Sequence, residues 1–258
     1  MKNHPLKVFA TKNIAICARW MGAAGIFLVI SGCATGPHPR DPFEPFNRGV
    51  SQFNDDVDRA VLRPVATAYQ NITPAPVRTG IRNVFTNFTE PWSFVNNLAQ
   101  FKLVEAADTL MRFSINTVFG LGGIEDVASQ AHIDRHRQDF GQTLATYGVG
   151  TGPYLVLPLL GPSTVRDAVS LPLVWNLDVL SQVDNIASRN VLTALRLVDT
   201  RASLLRAGAV LDQAALDPYS FQRDVFLQLR DNQGARGGDE GLDDGGGVLP
   251  ELPEDGKP

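Results

Sequence analysis

The sequence predicts a mainly α-helical protein, and three observations carry that prediction. Phe46, Val50, Phe53, Val57 and Val61 follow one another at steps of 4, 3, 4 and 4, which places them on one face of a helix. Val191, Leu195, Val198, Ala202, Leu205 and Ala209 advance by 4, 3, 4, 3 and 4, again a helical recurrence. Stretches of strict two-residue alternation, the mark of half-buried strands, are few.

The chain opens with Lys2, Lys7, Lys12 and Arg19 and no acid before residue 33, followed by an apolar core at residues 21–30. A basic start and an apolar stretch of about ten residues describe a secretory signal peptide, and a bilayer-spanning helix takes about twice that length. Small Ser31 and Gly32 precede Cys33, so residues 1–32 read as a lipoprotein signal peptide and Cys33 as the lipidated mature N-terminus. The alternative is a plain N-terminal anchor with an incidental cysteine. Cys17, the other cysteine, lies in the removed segment, so the mature chain has no intramolecular disulfide and uses Cys33 as an attachment point. Ala34 stands where lipoproteins held at the inner membrane usually carry Asp, which directs the protein to the outer membrane, facing the periplasm. Residues 33–40 form the lipidated linker.

Beyond residue 32 the chain holds 19 Lys and Arg against 27 Asp and Glu, a net charge of −8 with His neutral. Residues 231–258 carry eight of those acids and only two bases, Arg236 and Lys257. This tail, rich in Gly, Pro and acids, cannot bury enough apolar surface to offset its ordering entropy and is expected to be disordered. The acidic balance excludes a basic nucleic-acid surface. Residues 41–230 are long enough for one domain with a sizeable core.

Within that domain, Asp41-Pro42 offers a cap and a first-turn proline for the helix that carries Phe46 to Val61, and Arg63-Pro64 is its expected break. A second helical run follows to Tyr69, before the Pro74-Ala75-Pro76 turn. Residues 77–88 and 91–100 read as two short helices, and residues 104–119 as a longer one stopped by Gly120-Leu121-Gly122-Gly123. After the helix carrying Val191 to Ala209 and the Asp217-Pro218 turn, Phe221, Val225 and Leu229 mark a last helix over 220–230. Residues 148–162 behave differently: seven of the fifteen are Gly or Pro, which forbids a continuous helix, yet almost none is polar. Such a loop is either buried in the core or a hairpin in contact with membrane.

Catalytic patterns are scarce. Gly148-x-Gly150-x-Gly152 lacks the spacing of a dinucleotide loop, and Pro153 stands where a helix should begin. His132 and His136 have a metal-ligand spacing, but Arg135 and Arg137 beside them favour a solvated charged face. No Gly-x-Ser-x-Gly elbow is present, and nothing in the spacing selects Glu125-Asp126 as hydrolytic carboxylates. No cofactor and no covalent chemistry are expected. Asparagine is more suggestive: Asn47, Asn54, Asn83, Asn87, Asn96, Asn97 and Asn116 sit beside phenylalanines on amphipathic helices, either as neutral groups near lipid or as helix caps.

An ordered set of motifs carries a family resemblance. Asp41-Pro42-Phe43-Glu44-Pro45-Phe46-Asn47-Arg48, Phe53-Asn54, Arg63-Pro64-Val65-Ala66, Arg112-Phe113-x-x-Asn116, Gly120-Leu121-Gly122-Gly123, Asp139-Phe140-Gly141-Gln142-Thr143-Leu144, Tyr147-Gly148-Val149-Gly150-x-Gly152-Pro153-Tyr154 and Arg166-Asp167 together resemble the MlaA/VacJ lipoprotein family, in order from about Asp41 to Tyr219. The resemblance implies an all-α, single ring-shaped domain of short amphipathic helices around a central amphipathic channel, with the Gly/Pro-rich segment as an apolar hairpin. It implies a protein that removes phospholipid strayed into the outer leaflet of the outer membrane and passes it to a periplasmic carrier, MlaC, and that associates with a trimeric porin. By the same resemblance Gly148, Gly150 and Gly152 are hairpin gating candidates, and Arg166, Asp167, Arg201, Asn47 and Asn54 candidate channel-lining residues. Because a lipid-adjacent ion needs a partner, Asp167 is expected to pair with an arginine, with Arg201 the partner to test. The alternative is a porin-associated structural or assembly lipoprotein that moves no lipid; a periplasmic hydrolase is a weaker third.

Overall fold

The computed structural model describes residues 38–235; the signal peptide at 1–32, Cys33 and the tail from 236 onward lie outside the described residues. Among the described residues ten α-helices and one two-stranded sheet follow in order: α1 (Glu44–Val57), α2 (Arg63–Ile72), α3 (Ala75–Ala99), α4 (Leu103–Val118), α5 (Val127–Gln130), α6 (Phe140–Thr146), β1 (Tyr154–Leu157), β2 (Gly161–Thr164), α7 (Val165–Leu177), α8 (Ile186–Ser203), α9 (Leu205–Ala214) and α10 (Pro218–Ala235). The mainly helical class is as expected.

Three boundaries differ from the sequence reading. Arg63-Pro64 does not break the first helix. A π-helical turn over Asp58–Leu62 joins α1 to α2, with the Arg63 N–H donating to the Asp58 carbonyl five residues back. That one-residue expansion carries the backbone past Pro64, which has no N–H to give. The two short helices expected over 77–100 are one helix, α3, with Pro91 inside it; its pairing with α4 along its length outweighs the one lost ladder bond. Conversely, the single run from Val191 to Ala209 is divided between α8 and α9 at Leu204.

The polarity of the interior is inverted. Among the described residues the buried set comprises 21 polar or charged residues and 10 hydrophobic ones, the reverse of an ordinary soluble core. On α4 the buried positions are Ala106, Thr109, Arg112 and Asn116, while Leu103, Val104, Leu110, Met111 and Val118 are exposed. On α3 Asn87, Glu90, Ser93, Asn96 and Asn97 point inward, and Val77, Val95 and Leu98 point out.

Most of the asparagines are therefore neither caps nor lipid-facing groups. Asn97 Nδ2 donates to the His136 carbonyl at 3.0 Å, Asn116 Oδ1 accepts the Ala128 N–H at 2.8 Å, and Asn96 Oδ1 accepts from Thr143 Oγ1 at 2.8 Å. Each amide satisfies a loop carbonyl, a first-turn helix N–H or a hydroxyl group in the interior. Arg112, 2 % exposed, is the hub: its guanidinium reaches the Ile133 carbonyl at 2.5 Å, Asp126 at 3.0 Å and Ser129 at 3.2 Å. Burial pushes the neighbouring Glu90 carboxyl above its ordinary range, although Arg135 at 3.2 Å and Arg112 at 3.7 Å pull it back down.

Candidate functional site

The apolar hairpin and the polar groups that hold it form the candidate site. β1 and β2 pair antiparallel, Tyr154 opposite Thr164 and Leu157 opposite Gly161. The alternation that two faces impose places Tyr154 and Val156 inward, both essentially buried, where they pack with Tyr219 and Leu227 of α10 and with Val50 of α1. At the tip, Leu159 and Leu160 are exposed by 62 % and 53 %. The stem is therefore core, as one of the two expectations had it, and the tip is an exposed apolar surface.

Asn47 and Asn54, seven residues apart and so two turns along the same side of α1, flank β1. Asn47 Nδ2 donates to the Tyr154 carbonyl at 3.1 Å and its Oδ1 accepts the Val156 N–H at 2.9 Å. Asn54 repeats the pattern toward the tip, donating to the Leu157 carbonyl at 3.0 Å and accepting from the Leu159 N–H at 2.7 Å. The two side chains thus serve the outer edge of β1 as a neighbouring strand would. Asn47 is completely buried, its Nδ2 also donating to Asp41 at 2.8 Å. Asp41 in turn accepts the Tyr219 hydroxyl hydrogen at 2.5 Å and lies 3.4 Å from Arg223.

The base of the hairpin is held by ions. Thr164 caps α7 by accepting the Asp167 N–H at 3.2 Å, which fixes Arg166 and Asp167, both buried, at its first turn. Arg166 donates to the Val149 carbonyl at 3.2 Å and to Asp167 Oδ1 at 3.2 Å. From α10, Arg230 Nε lies 3.0 Å from Asp167 Oδ2, close as an ion pair though not aligned as a hydrogen bond, and its Nη1 donates to Asp139 at 2.6 Å. Burial alone would depress the Arg230 guanidinium, but Asp139 and Asp167 raise it above its ordinary value. A Cβ on Gly141 would overlap Asp167 Oδ1, so α6 can approach the pair only through that glycine. Asp167 thus finds its arginine partners in Arg166 and Arg230. Arg201 is engaged elsewhere, forked onto Asp58 at 2.6 and 2.7 Å, where its hydrogen bonds hold that carboxyl below its ordinary range despite partial burial.

Of the three gating candidates, Gly148 (φ +83°) and Gly152 (φ +69°) occupy the left-handed region that favours glycine. Gly150 does not, and lies in open space. Arg40 crosses this loop, with its Nη2 3.4 Å from Thr151 Oγ1 and its Nη1 2.5 Å from Asp231. Asp231 belongs to α10, which runs on to Ala235, so the helix continues five residues past the expected tail boundary at 230.

His136 faces Asp108 at 3.2 Å, while His132 is exposed at φ +57°; among the described residues no three His, Cys, Asp or Glu are grouped to hold a metal ion. Asp126 accepts from Ser129, Asn116 and Arg112, which hold it below its ordinary range against the opposing effect of burial.

Sequence reasoning missed Arg230, Asp139 and Thr164. A capping box was legible at Asp139 and Gln142, whose side chains exchange hydrogen bonds with each other's backbone N–H groups at 2.8 Å. Arg230 carries no local signal, because its partners lie 91 and 63 residues away in sequence.

Comparison with known proteins gives one consistent result. A family model described as MlaA lipoprotein matches residues 39–233. The chain is 36 % identical to the intermembrane phospholipid transport system lipoprotein MlaA of Escherichia coli strain K12, covering 81 % of this chain and 85 % of the relative. It is 36 % identical to the protein of the same description from Haemophilus influenzae, covering 80 % and 88 % respectively. A solved structure described as the structural basis for maintenance of bacterial outer membrane lipid asymmetry superposes with a TM-score of 0.66 at 35 % identity, covering 75 % of this chain and 98 % of that one.

Proposed function

The chain belongs to the MlaA lipoprotein family, and from that premise we propose that it takes mislocalised phospholipid from the outer leaflet of the outer membrane and passes it to a periplasmic carrier of the MlaC type. The observation that carries this reading is the inverted burial. Helices with polar inner faces and apolar outer faces suit a protein lying in hydrocarbon around a hydrophilic interior. Among the described residues no helix is long and apolar enough to cross a membrane, which fits residence in one leaflet. Lipidation at Cys33 would hold the chain on the periplasmic side.

In this reading a headgroup passes through the polar interior while its acyl chains stay in apolar surroundings, which avoids exposing methylenes to water at about 0.8 kcal/mol each. Arg166 and Asp167 stand at the hairpin base, where the hairpin glycines Gly148, Gly150 and Gly152 let the loop move. Arg201 lines the path from α8. Asn47 and Asn54 act on it through the hairpin they hold. A passive conduit cannot bias transport, so direction has to come from an energy source that acts beyond the carrier. A trimeric porin would cover part of the apolar exterior. No bond is made or broken, and the polar side chains bind and orient.

The test is labelling of outer-leaflet phosphatidylethanolamine with a membrane-impermeant amine reagent in intact cells. Deletion of the gene is expected to raise surface labelling, and re-expression to reverse it. Unchanged labelling with altered porin assembly would overturn the transport reading in favour of a structural role.

A further inference from the structure

We propose that Arg40, where the linker from Cys33 meets the domain, is a positioning residue that latches the glycine loop of the hairpin against α10; the inference rests on the reading of that loop as the moving part of a transport protein. The Arg40 carbonyl accepts the Tyr154 N–H at 2.8 Å, at the first residue of β1. The guanidinium then reaches across the loop: Nη2 donates to Thr151 Oγ1 at 3.4 Å and to Asp231 Oδ1 at 3.0 Å, and Nη1 donates to Asp231 Oδ2 at 2.5 Å. Both footings of this fork are firm. The next residue, Asp41, is fully buried and bonded to Asn47 and Tyr219, while Arg230, the neighbour of Asp231, is tied to Asp139 and Asp167. The loop beneath the fork is loosely packed: a Cβ on Gly148 or Gly150 would meet nothing within 4 Å.

Two clamps of unlike strength hold that loop. On the inner side Arg166, which is buried, donates to the Val149 carbonyl at 3.2 Å. On the outer side the Arg40 and Asp231 side chains are 37 % and 50 % exposed. An ion pair in water is weak and screened by salt, so the outer clamp opens and closes readily while the inner one persists. Opening has a defined consequence, because the seated loop caps α7. The Thr151 carbonyl accepts the Arg166 N–H at 3.3 Å and the Pro153 carbonyl accepts the Val165 N–H at 3.0 Å, first-turn amides that have no partner within their own helix. The latch therefore ties the anchor linker and the end of α10 to the helix start that carries Arg166 and Asp167.

The experiment measures hydrogen–deuterium exchange, resolved to single amides by electron-transfer fragmentation, on the full-length mature protein in nanodiscs. The reference is the Val156 amide, which Asn47 holds. Relative to it, Arg40→Gln and Asp231→Asn should each raise exchange at Val165 and Arg166 by about two- to fivefold, as loss of one exposed pair allows. The double variant should go no further than either single one, and Arg40→Asp combined with Asp231→Arg should restore protection. Raising salt from about 0.05 to about 0.5 M should produce the same rise in wild type and leave both single variants unchanged. Exchange at Val165 and Arg166 that ignores both variants, or that rises equally at Val156, overturns the latch. In cells, Arg40→Gln should leave surface phosphatidylethanolamine labelling at least twofold above wild type, with the charge swap lowering it again; labelling at the wild-type level overturns the positioning role. Wild-type protein that restores asymmetry but shows no latch by exchange overturns this inference alone, whereas wild-type protein that fails to restore asymmetry overturns the transport reading on which it rests.

Discussion

The Asn54 side-chain carbonyl accepts the backbone N–H of Leu159 at 2.7 Å, and Leu159 is held there at φ +64°. A left-handed leucine costs about 1–2 kcal/mol, so the tip keeps this shape because the Asn54 amide favours it. Asn54→Ala should raise amide exchange at residues 157–160 about tenfold, the equivalent of one net hydrogen bond. Residues 154–156, held by Asn47 and β2, should keep their protection. Adding Leu159→Gly, which removes the steric penalty, should recover part of the loss. Hydrogen–deuterium exchange read by peptide mass checks all three outcomes, and uniform deprotection of the whole hairpin would contradict the local clamp.

The Asp167–Arg230 pair joins the start of α7 to the end of α10 and, through Arg166, to the loop at Val149. A double-mutant cycle with Asp167→Asn and Arg230→Gln should show coupling of about 1–3 kcal/mol in denaturant unfolding, because both groups are largely buried. The Asp167 and Arg201 cycle should show coupling near zero, since Arg201 is spent on Asp58. Truncation tests the same corner: a stop after Ala235 should be silent, whereas a stop after Arg230 removes Asp231 from Arg40 and should cost up to about 1 kcal/mol, as exposed pairs do.

The helical class and most helix positions were legible because periodic apolar residues report a face whichever medium that face meets. What they could not report is the medium. Val104, Leu110 and Met111 recur as a core stripe would, yet on α4 they face outward while Thr109, Arg112 and Asn116 are enclosed. The asparagines misled for the same reason, since an amide that closes a buried backbone group has the same local sequence as a cap. Prolines 64 and 91 predicted breaks that a π-turn and the packing of α4 made unnecessary. At the site, Arg166 and Asp167 were visible as a motif, but Arg230, the second arginine on Asp167, is brought in only by tertiary folding.

Asp58 provides a pH test. Its folded-state pKa is lowered, first by the hydrogen bonds from Arg201. A carboxyl of this kind contributes stability above its unfolded pKa and loses it as pH falls through the depressed folded value. Asp58→Asn should therefore destabilise the protein at pH 7 by roughly 1 kcal/mol after allowance for solvent screening. The difference from wild type should shrink as pH drops below the ordinary aspartate range. Urea midpoints measured at intervals between pH 7 and pH 3 check the sign; a gap that widens on acidification would contradict it.

Neighbouring positions on α4 separate the apolar exterior from the polar interior. Leu110 is half exposed on the outer face, whereas Thr109 is fully buried and donates to the Glu105 carbonyl while receiving Asn97 Nδ2 at 3.3 Å. Leu110→Arg removes no internal contact of that network, so unfolding in detergent should change by less than about 0.5 kcal/mol, as at ordinary surface sites. In a bilayer the same charge meets hydrocarbon at a cost of about 2–3 kcal/mol, which should lower partition into phosphatidylethanolamine–phosphatidylglycerol vesicles by roughly 30–150-fold. Thr109→Val should do the opposite: it leaves the Asn97 amide short of a partner inside, costs about 1–2 kcal/mol of stability, and leaves vesicle binding unchanged. Flotation of both variants with vesicles, beside their denaturant midpoints, reads the two effects independently. If Leu110→Arg floated like wild type, the α4 face would not be in contact with lipid.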